Sequence, residues 1–248
     1  VHVPREDITQ LRTTSGTTGE PLLTWYKFIP DTKRFRLCVD SGASCMLNFH
    51  TRSHARVVIN AGNVGLSVLC GNTQDLIYSA ALAEAGDIDS ILCTPTLALL
   101  FAPYLKNKKV QIKVLAIMGE KCSAYQYKQM QSNYPEAKFV FMYGSTETGH
   151  MSALSTEKCT DPYDTFHSHV DHFYTESKNQ ELILTSLYLP QALPVIRYKT
   201  GDKIDHLHTP CPCKNPEPRI RVLGRIDHDV VSIAGGEIRL TELDRIMQ

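Results

Sequence analysis

The chain has 248 residues, 42% of them hydrophobic and 21% charged, with 26 Lys and Arg balancing 26 Asp and Glu. That length suits one large domain or two small ones, and that composition supports a buried core rather than disorder. The zero net charge gives no general attraction to nucleic acid or to an anionic membrane. No nucleic-acid or membrane partner is therefore expected.

No apolar run approaches the roughly 20 residues needed to cross a bilayer. The strongest, residues 91–105, is interrupted by Pro95 and Pro103. The N-terminal VHVPRED has no basic region followed by an apolar stretch, so it reads as no signal peptide. It does not start with Met, and the natural start is expected elsewhere. Eight Cys in a chain of this size are not a small disulfide scaffold. Cys38, Cys45, Cys70, Cys93 and Cys122 sit singly among apolar or mixed segments and read as buried small hydrophobes. A reducing, cytoplasmic location is expected.

In chain order, residues 56–60 (RVVIN) read as a short buried strand. Residues 73–85 carry apolar positions at helical spacing and stop before Gly86. Residues 90–93 (SILC) read as a strand and 95–106 as a helix with Pro near its start. A strand over 110–118, a helix over 123–133 capped by Ser123 and a strand over 138–142 follow. This alternation predicts an α/β fold: a mainly parallel sheet flanked by helices. After Gly149 the texture changes. Residues 182–187, 194–198 and 219–223 read as strands without long helices between them. The expected division is an α/β subdomain over 1–150, a smaller, mostly β subdomain over 151–226 and a further segment over 227–248.

Four segments carry candidate chemistry. Residues 13–21 (TTSGTTGEP) place three hydroxyls and two glycines within Ser15, Gly16, Thr17, Thr18 and Gly19. Small side chains let backbone N–H groups approach an anion, as a phosphate-gripping loop requires. The segment lacks the Gly-Lys-Ser/Thr ending of a P-loop. Residues 143–149 (YGSTETG) follow a strand, and a tight Gly turn there sets polar side chains at the carboxyl edge of a sheet. Thr146 offers a hydroxyl, Glu147 a carboxylate suited to Mg²⁺, and Tyr143 an aromatic face. Residues 198–202 (YKTGD) place Asp202 on a turn, where it could accept from a vicinal diol. In residues 224–243, Gly235 and Gly236 read as a hairpin turn. Taken singly, these read equally as a flexible polar turn, a helix-capping surface turn and an ordinary Gly-Asp turn.

Together, and in this order, they resemble the motifs of the adenylate-forming superfamily: acyl-CoA synthetases, peptide-synthetase adenylation domains and luciferases. TTSGTTGEP is similar to its phosphate loop, YGSTE to its Tyr-Gly-x-Thr-Glu motif, YKTGD to its Tyr-Arg-Thr-Gly-Asp motif and GRID (224–227) to its hinge. The resemblance spans residues 13 to 243. PREDITQLRTTSGTTGEP, PVIRYKTGD and the CPC followed by PRIRVLGRID resemble the phenylacetate–CoA ligase branch in particular.

The resemblance implies ATP-dependent activation of a carboxylate through an acyl-adenylate, with ATP/AMP and Mg²⁺, and thioester formation with CoA. Ser15, Gly16, Thr17, Thr18 and Gly19 would hold the β- and γ-phosphates. Thr146 would contact the α-phosphate and Glu147 would bind Mg²⁺. Tyr143, with Gly144, would lie against adenine, and Gly119 and Glu120 would line its side. Asp202, helped by Arg225, would bind the ribose hydroxyls, and Asp227 would be the hinge. Gly62, Asn63 and Gly65 would line the carboxylate pocket. The family's C-terminal lid, with its adenylating lysine, has no counterpart after Asp227, and the stretch before the phosphate loop is short. A fragment, an excised piece or a naturally reduced protein is therefore expected. The resemblance makes 1–150 an α/β nucleotide-binding subdomain and 227–248 a hinge with the start of a truncated C-terminal domain. The alternatives are an adenylating enzyme that loads a carrier-protein thiol and a nucleotide-binding module without turnover.

Cys211 and Cys213 lie one residue apart in a Pro-rich segment, and Cys159 and His167 lie upstream. Three Cys and one His make a closed tetrahedral set of the kind structural zinc takes. Similar placement of Cys and His in phenylacetate–CoA ligase-like proteins raises this reading over that of two surface thiols. His169, His172, His206 and His208 are rival ligands.

Overall fold

The structure is a computed structural model that describes residues 4, 6, 10–13, 23–26, 45–49, 64–67, 72–148, 150–187, 194–226, 230–233 and 236–239. By contact, the chain falls into two compact units. One holds Pro30–Met142 and Thr156–Lys158; the other holds Val1–Ile29, Tyr143–Ser155 and Cys159–Gln248. Near the N-terminus, β1 (Gln10–Thr13) and β2 (Leu23–Tyr26) pair antiparallel.

The first unit is α/β. Its strands are β3 (Cys45–Asn48), β4 (Val64–Ser67), β5 (Ser90–Cys93), β6 (Val114–Met118) and β7 (Lys138–Ser145), whose last three residues belong to the other unit. They run in the order β4-β3-β5-β6-β7, every pair parallel. All four residues of β5 are buried, as in a sheet covered on both faces.

Among the described residues, three helices connect these strands, and each starts on a local signal. At α1 (Thr73–Ala85), Asn72 and Asp75 exchange side-chain-to-backbone hydrogen bonds of 3.1 Å, and Gly86 follows the last turn. At α2 (Pro95–Leu105), the Thr94 hydroxyl accepts from the Leu97 N–H at 3.2 Å, and Pro95 takes the first position. At α3 (Ala124–Asn133), Ser123 and Gln126 form a second reciprocal box. Leu47, Ile91, Leu115, Ile117, Phe101 and Phe141 make the buried core. Phe49 meets Phe101 edge-on at 5.0 Å, and Tyr127 meets Phe141 the same way at 5.4 Å.

The second unit is antiparallel. It holds β8 (His150–Thr156), whose last residue belongs to the first unit, β9 (Thr165–Ser168), β10 (Phe173–Lys178), β11 (Glu181–Ser186), β12 (Tyr198–Leu207) and β13 (Arg219–Arg225). Their order is β8-β9-β13-β12-β11-β10. Leu182, Ile183 and Leu184 of β11 are all buried, as are Phe166, Phe173, Ile204 and Ile220. The hairpin expected near Gly236 is present, with β14 (Val230–Ile233) antiparallel to β15 (Gly236–Arg239).

The fold class is borne out: a parallel sheet with helices, then a mostly β region. Some elements differ from expectation. The strand expected over 110–118 begins only at Val114, and just ahead of it the Lys113 N–H donates to Asp89 O at 2.6 Å. No strand forms over 194–197. Pro194 has no N–H to give, and Arg197 has a φ of 49°. YKTGD lies in β12 rather than on a turn, with a register shift between Lys203 and Ile204. The strand expected at 56–60 lies outside the described residues.

Candidate functional site

The second unit brings three of the four motif regions' described residues together. β12 and β13 pair Asp202 with Arg225. Arg225 Nη1 donates to Asp202 Oδ1 at 3.2 Å and to the Thr200 carbonyl at 2.8 Å. The Tyr143 hydroxyl donates to Asp202 Oδ2 at 2.5 Å. Residues distant in sequence thus meet on one carboxylate. The Asp202 side chain is 13% exposed and Arg225 47%, so solvent weakens the charge attraction and geometry matters more than Coulomb energy.

Thr200 supports this group from beneath. Its buried hydroxyl donates to Leu182 O of β11 at 3.0 Å and accepts from the Asp202 N–H at 3.1 Å. Gly201, between them, has a φ of 73°, which favours glycine.

Tyr143 follows the buried part of β7, and its ring lies 5.9 Å from that of Phe166. Burial, then the Asp202 carboxylate, pushes its phenol well above the ordinary value. The group is therefore a donor throughout the physiological range. Tyr198 opens β12, and burial followed by the Glu147 carboxylate raises its phenol too, with Arg225 opposing. Gly144 continues β7, half-buried.

Thr146 and Glu147 stand on a turn that Ser145 and Thr148 close. The Ser145 N–H donates to the Thr148 hydroxyl at 3.2 Å, and the Thr148 N–H donates to the Ser145 hydroxyl at 3.3 Å. Thr148 is buried, whereas Thr146 and Glu147 are half-buried. The turn thus spends its outer hydroxyl residues on itself and presents the inner pair.

In the α/β unit, Gly119 and Glu120 follow β6, with Gly119 at a φ of 89°. Glu120 Oε2 accepts from the Thr96 hydroxyl at 2.6 Å and the Thr96 N–H at 3.4 Å. It is a carboxylate at the N-terminus of α2, where the helix dipole favours negative charge.

A separate cluster lies in the second unit. One ligand atom each from Cys159, His167, Cys211 and Cys213 falls within 4.8 Å of the others. His167 Nε2 is 3.2 Å from Cys213 Sγ, and its Nδ1 faces the Glu217 carbonyl at 3.0 Å. That carbonyl fixes the ring so that Nε2 faces the thiols. Burial works to raise the Cys211 thiol, but hydrogen bonds from the Cys213 backbone, His167 and Cys213 bring it down to about 6. Arg219 Nη2 ties down the approach to the loop through Thr209 O at 2.8 Å. The rival histidines face elsewhere: His169 Nδ1 toward Glu217 at 3.8 Å, His172 toward Asp171 at 3.7 Å and His206 toward Ser177 at 3.0 Å, while His208 is exposed. Cys93 and Cys122 are buried in the other unit. Ser15, Gly16, Thr17, Thr18, Gly19, Gly62, Asn63 and Asp227 lie outside the described residues, as do Cys38 and Cys70.

Sequence reasoning missed Thr200, Thr96, Ser145 and Thr148. The only local signal was two hydroxyl residues three apart around Thr146-Glu147.

The fold is that of the adenylate-forming enzymes, the class that the motifs resemble. The chain is 23% identical over 279 aligned residues to the phenylacetate-coenzyme A ligase of Thermus thermophilus, an alignment that covers 99% of this chain and 60% of that protein. It is 24% identical to the indoleacetate–lysine synthetase of Pseudomonas savastanoi, over 63% of this chain and 40% of that protein. A crystal structure of 2-hydroxyisobutyryl-CoA ligase in the postadenylation state, in complex with R3-HIB-AMP, superposes with a TM-score of 0.80. That match has 18% identity and covers 98% of this chain and 56% of that one. An open conformation of the same ligase, with 2-HIB-AMP and CoA, gives a TM-score of 0.73. The chain thus spans about 60% of the length of the Thermus ligase. No family model matches it. Among the described residues, no helix is long and apolar enough to cross a membrane.

Proposed function

We propose that the chain is the core of an AMP-forming acid–thiol ligase that activates a small carboxylate as an acyl-adenylate. The observation that carries this is the convergence of Tyr143 and Arg225 on Asp202, each within hydrogen-bonding distance of its carboxylate. In the reaction, a carboxylate oxygen attacks the α-phosphorus of ATP and the bond to pyrophosphate breaks. A thiol then attacks the acyl carbon and expels AMP.

Such chemistry needs charge neutralisation and positioning more than a strong base. Asp202 and Arg225 would take the ribose hydroxyls, and Tyr143 with Gly144 the adenine face. Gly119 and Glu120 would line the adenine side. Thr146 would contact the α-phosphate. Ser15, Gly16, Thr17, Thr18 and Gly19 would grip the outer phosphates, and Asp227 would serve as the hinge. Glu147 is a hard oxygen donor on an accessible turn and fits magnesium. Magnesium supplies charge neutralisation on the phosphates when bound.

Cys159, His167, Cys211 and Cys213 would hold a structural zinc. Three thiols and one oriented imidazole fit that ion's donor preference. Zinc supplies a cross-link between β9 and the loop before β13.

The proposed acceptor is the thiol of CoA, supported by the CoA seen in the solved relative. The likeness to a synthetase whose name pairs indoleacetate with lysine favours an amine as the second reading. Calorimetric titration with Mg·ATP and with AMP tests the nucleotide site. Both should bind saturably, and Glu147→Gln should weaken Mg·ATP about tenfold while leaving AMP nearly unchanged. Equal weakening of both would give Glu147 a structural role instead.

A further inference from the structure

Asp202 is held from two sides. Arg225 Nη1 reaches Oδ1, and the Tyr143 hydroxyl reaches Oδ2. The backbone beneath it is pinned because its N–H donates to the buried Thr200 hydroxyl. Tyr143 is in turn fixed along its length, by β7 at its backbone and by the Phe166 ring at 5.9 Å.

A carboxylate that must meet both hydroxyls of a vicinal diol needs its plane set in advance. A carboxylate held at one oxygen by a half-exposed arginine can still swing about its own bonds. A second bond at the other oxygen stops that rotation. Each carboxylate oxygen has two acceptor sites, so a phenol on Oδ2 is compatible with a sugar hydroxyl on the same atom. A hydrogen bond to a charged acceptor is also among the stronger kinds.

We propose that Tyr143 is a positioning residue for ribose recognition: its hydroxyl orients Asp202 toward the sugar diol, while its ring serves the base. One side chain then joins base and sugar recognition, and nucleotides with a 2′,3′-diol are selected over those without it. This rests on the reading of Asp202 as the ribose acceptor given above.

The test compares AMP with 2′,3′-dideoxy-AMP by calorimetry, in the wild type, Tyr143→Phe, Asp202→Asn and the double variant. The dideoxy nucleotide reads base and phosphate contacts alone. In Tyr143→Phe, AMP binding should weaken about tenfold, the loss of one hydrogen bond to a charged group, while dideoxy-AMP binding stays unchanged. In the Asp202→Asn background, the Phe substitution should add nothing. Equal weakening of both nucleotides by Tyr143→Phe would overturn the proposal, since a folding or stacking defect acts on both. An unchanged AMP preference in Tyr143→Phe, with the preference lost in Asp202→Asn, would overturn it while sparing the ribose reading. A preference for AMP that survives Asp202→Asn would overturn the ribose reading and this proposal together.

Discussion

Gly201 has a φ of 73°, and a Cβ built there would lie 3.0 Å from Arg225 Nη2 and 3.3 Å from Cζ. Gly201→Ala thus meets two penalties, a left-handed backbone and a guanidinium in the way. Urea unfolding should show a loss of at least about 1 kcal/mol, and AMP affinity should fall as Arg225 is pushed from Asp202. An unchanged affinity would mean that Arg225 moves aside without cost to the site. The candidate carboxylates were legible because Glu147 and Asp202 sit in motifs whose order is distinctive. Thr200 was not. Its hydroxyl becomes a support only when β12 pairs with β11, and nothing adjacent in sequence announces that pairing.

The helices were legible for a physical reason: their starting signals are local. Asn72, Thr94 and Ser123 each accept a hydrogen bond from an N–H three residues on. Ser123→Ala should therefore cost about 1 kcal/mol in chemical denaturation, and Ser123→Asp should restore most of it. A silent Ser123→Ala would mean that packing of α3 against α2 sets that helix unaided. The short strands β8, β9 and β10 were not read individually. Segments such as HMSALST and FYTESK mix polar and apolar residues, and their pairing depends on distant partners. PVIRY misled because its β-branched residues suggest a strand, whereas its proline and the positive φ of Arg197 oppose one.

At the scale of the molecule, the thiol cluster lies wholly in the antiparallel unit, whereas β5 and β6 lie in the other. Removal of the proposed zinc with a strong chelator should therefore act unevenly. Hydrogen exchange should show faster exchange in β9, β13 and residues 211–213, with β5 and β6 keeping their protection. Even loss across both units would count against the metal as a local cross-link. Sheet architecture was legible here because the parallel half alternates strands with helices, and the described residues of the other half form strands without α-helices between them. The grouping of residues 1–29 with the second half was not legible, because it depends on contacts between distant stretches of chain.

Strand β9 places Phe166 beside Tyr143 and, one residue on, His167 beside Cys213. Successive side chains of a strand face opposite ways, so these two neighbours serve different faces. Descendants of this gene can exchange residues in β9, but they cannot gain or lose one. A single-codon insertion ahead of Phe166 would turn the imidazole toward the tyrosine and the phenyl ring toward the thiols. Length variation among relatives should accordingly collect in the connections on either side and spare these four residues.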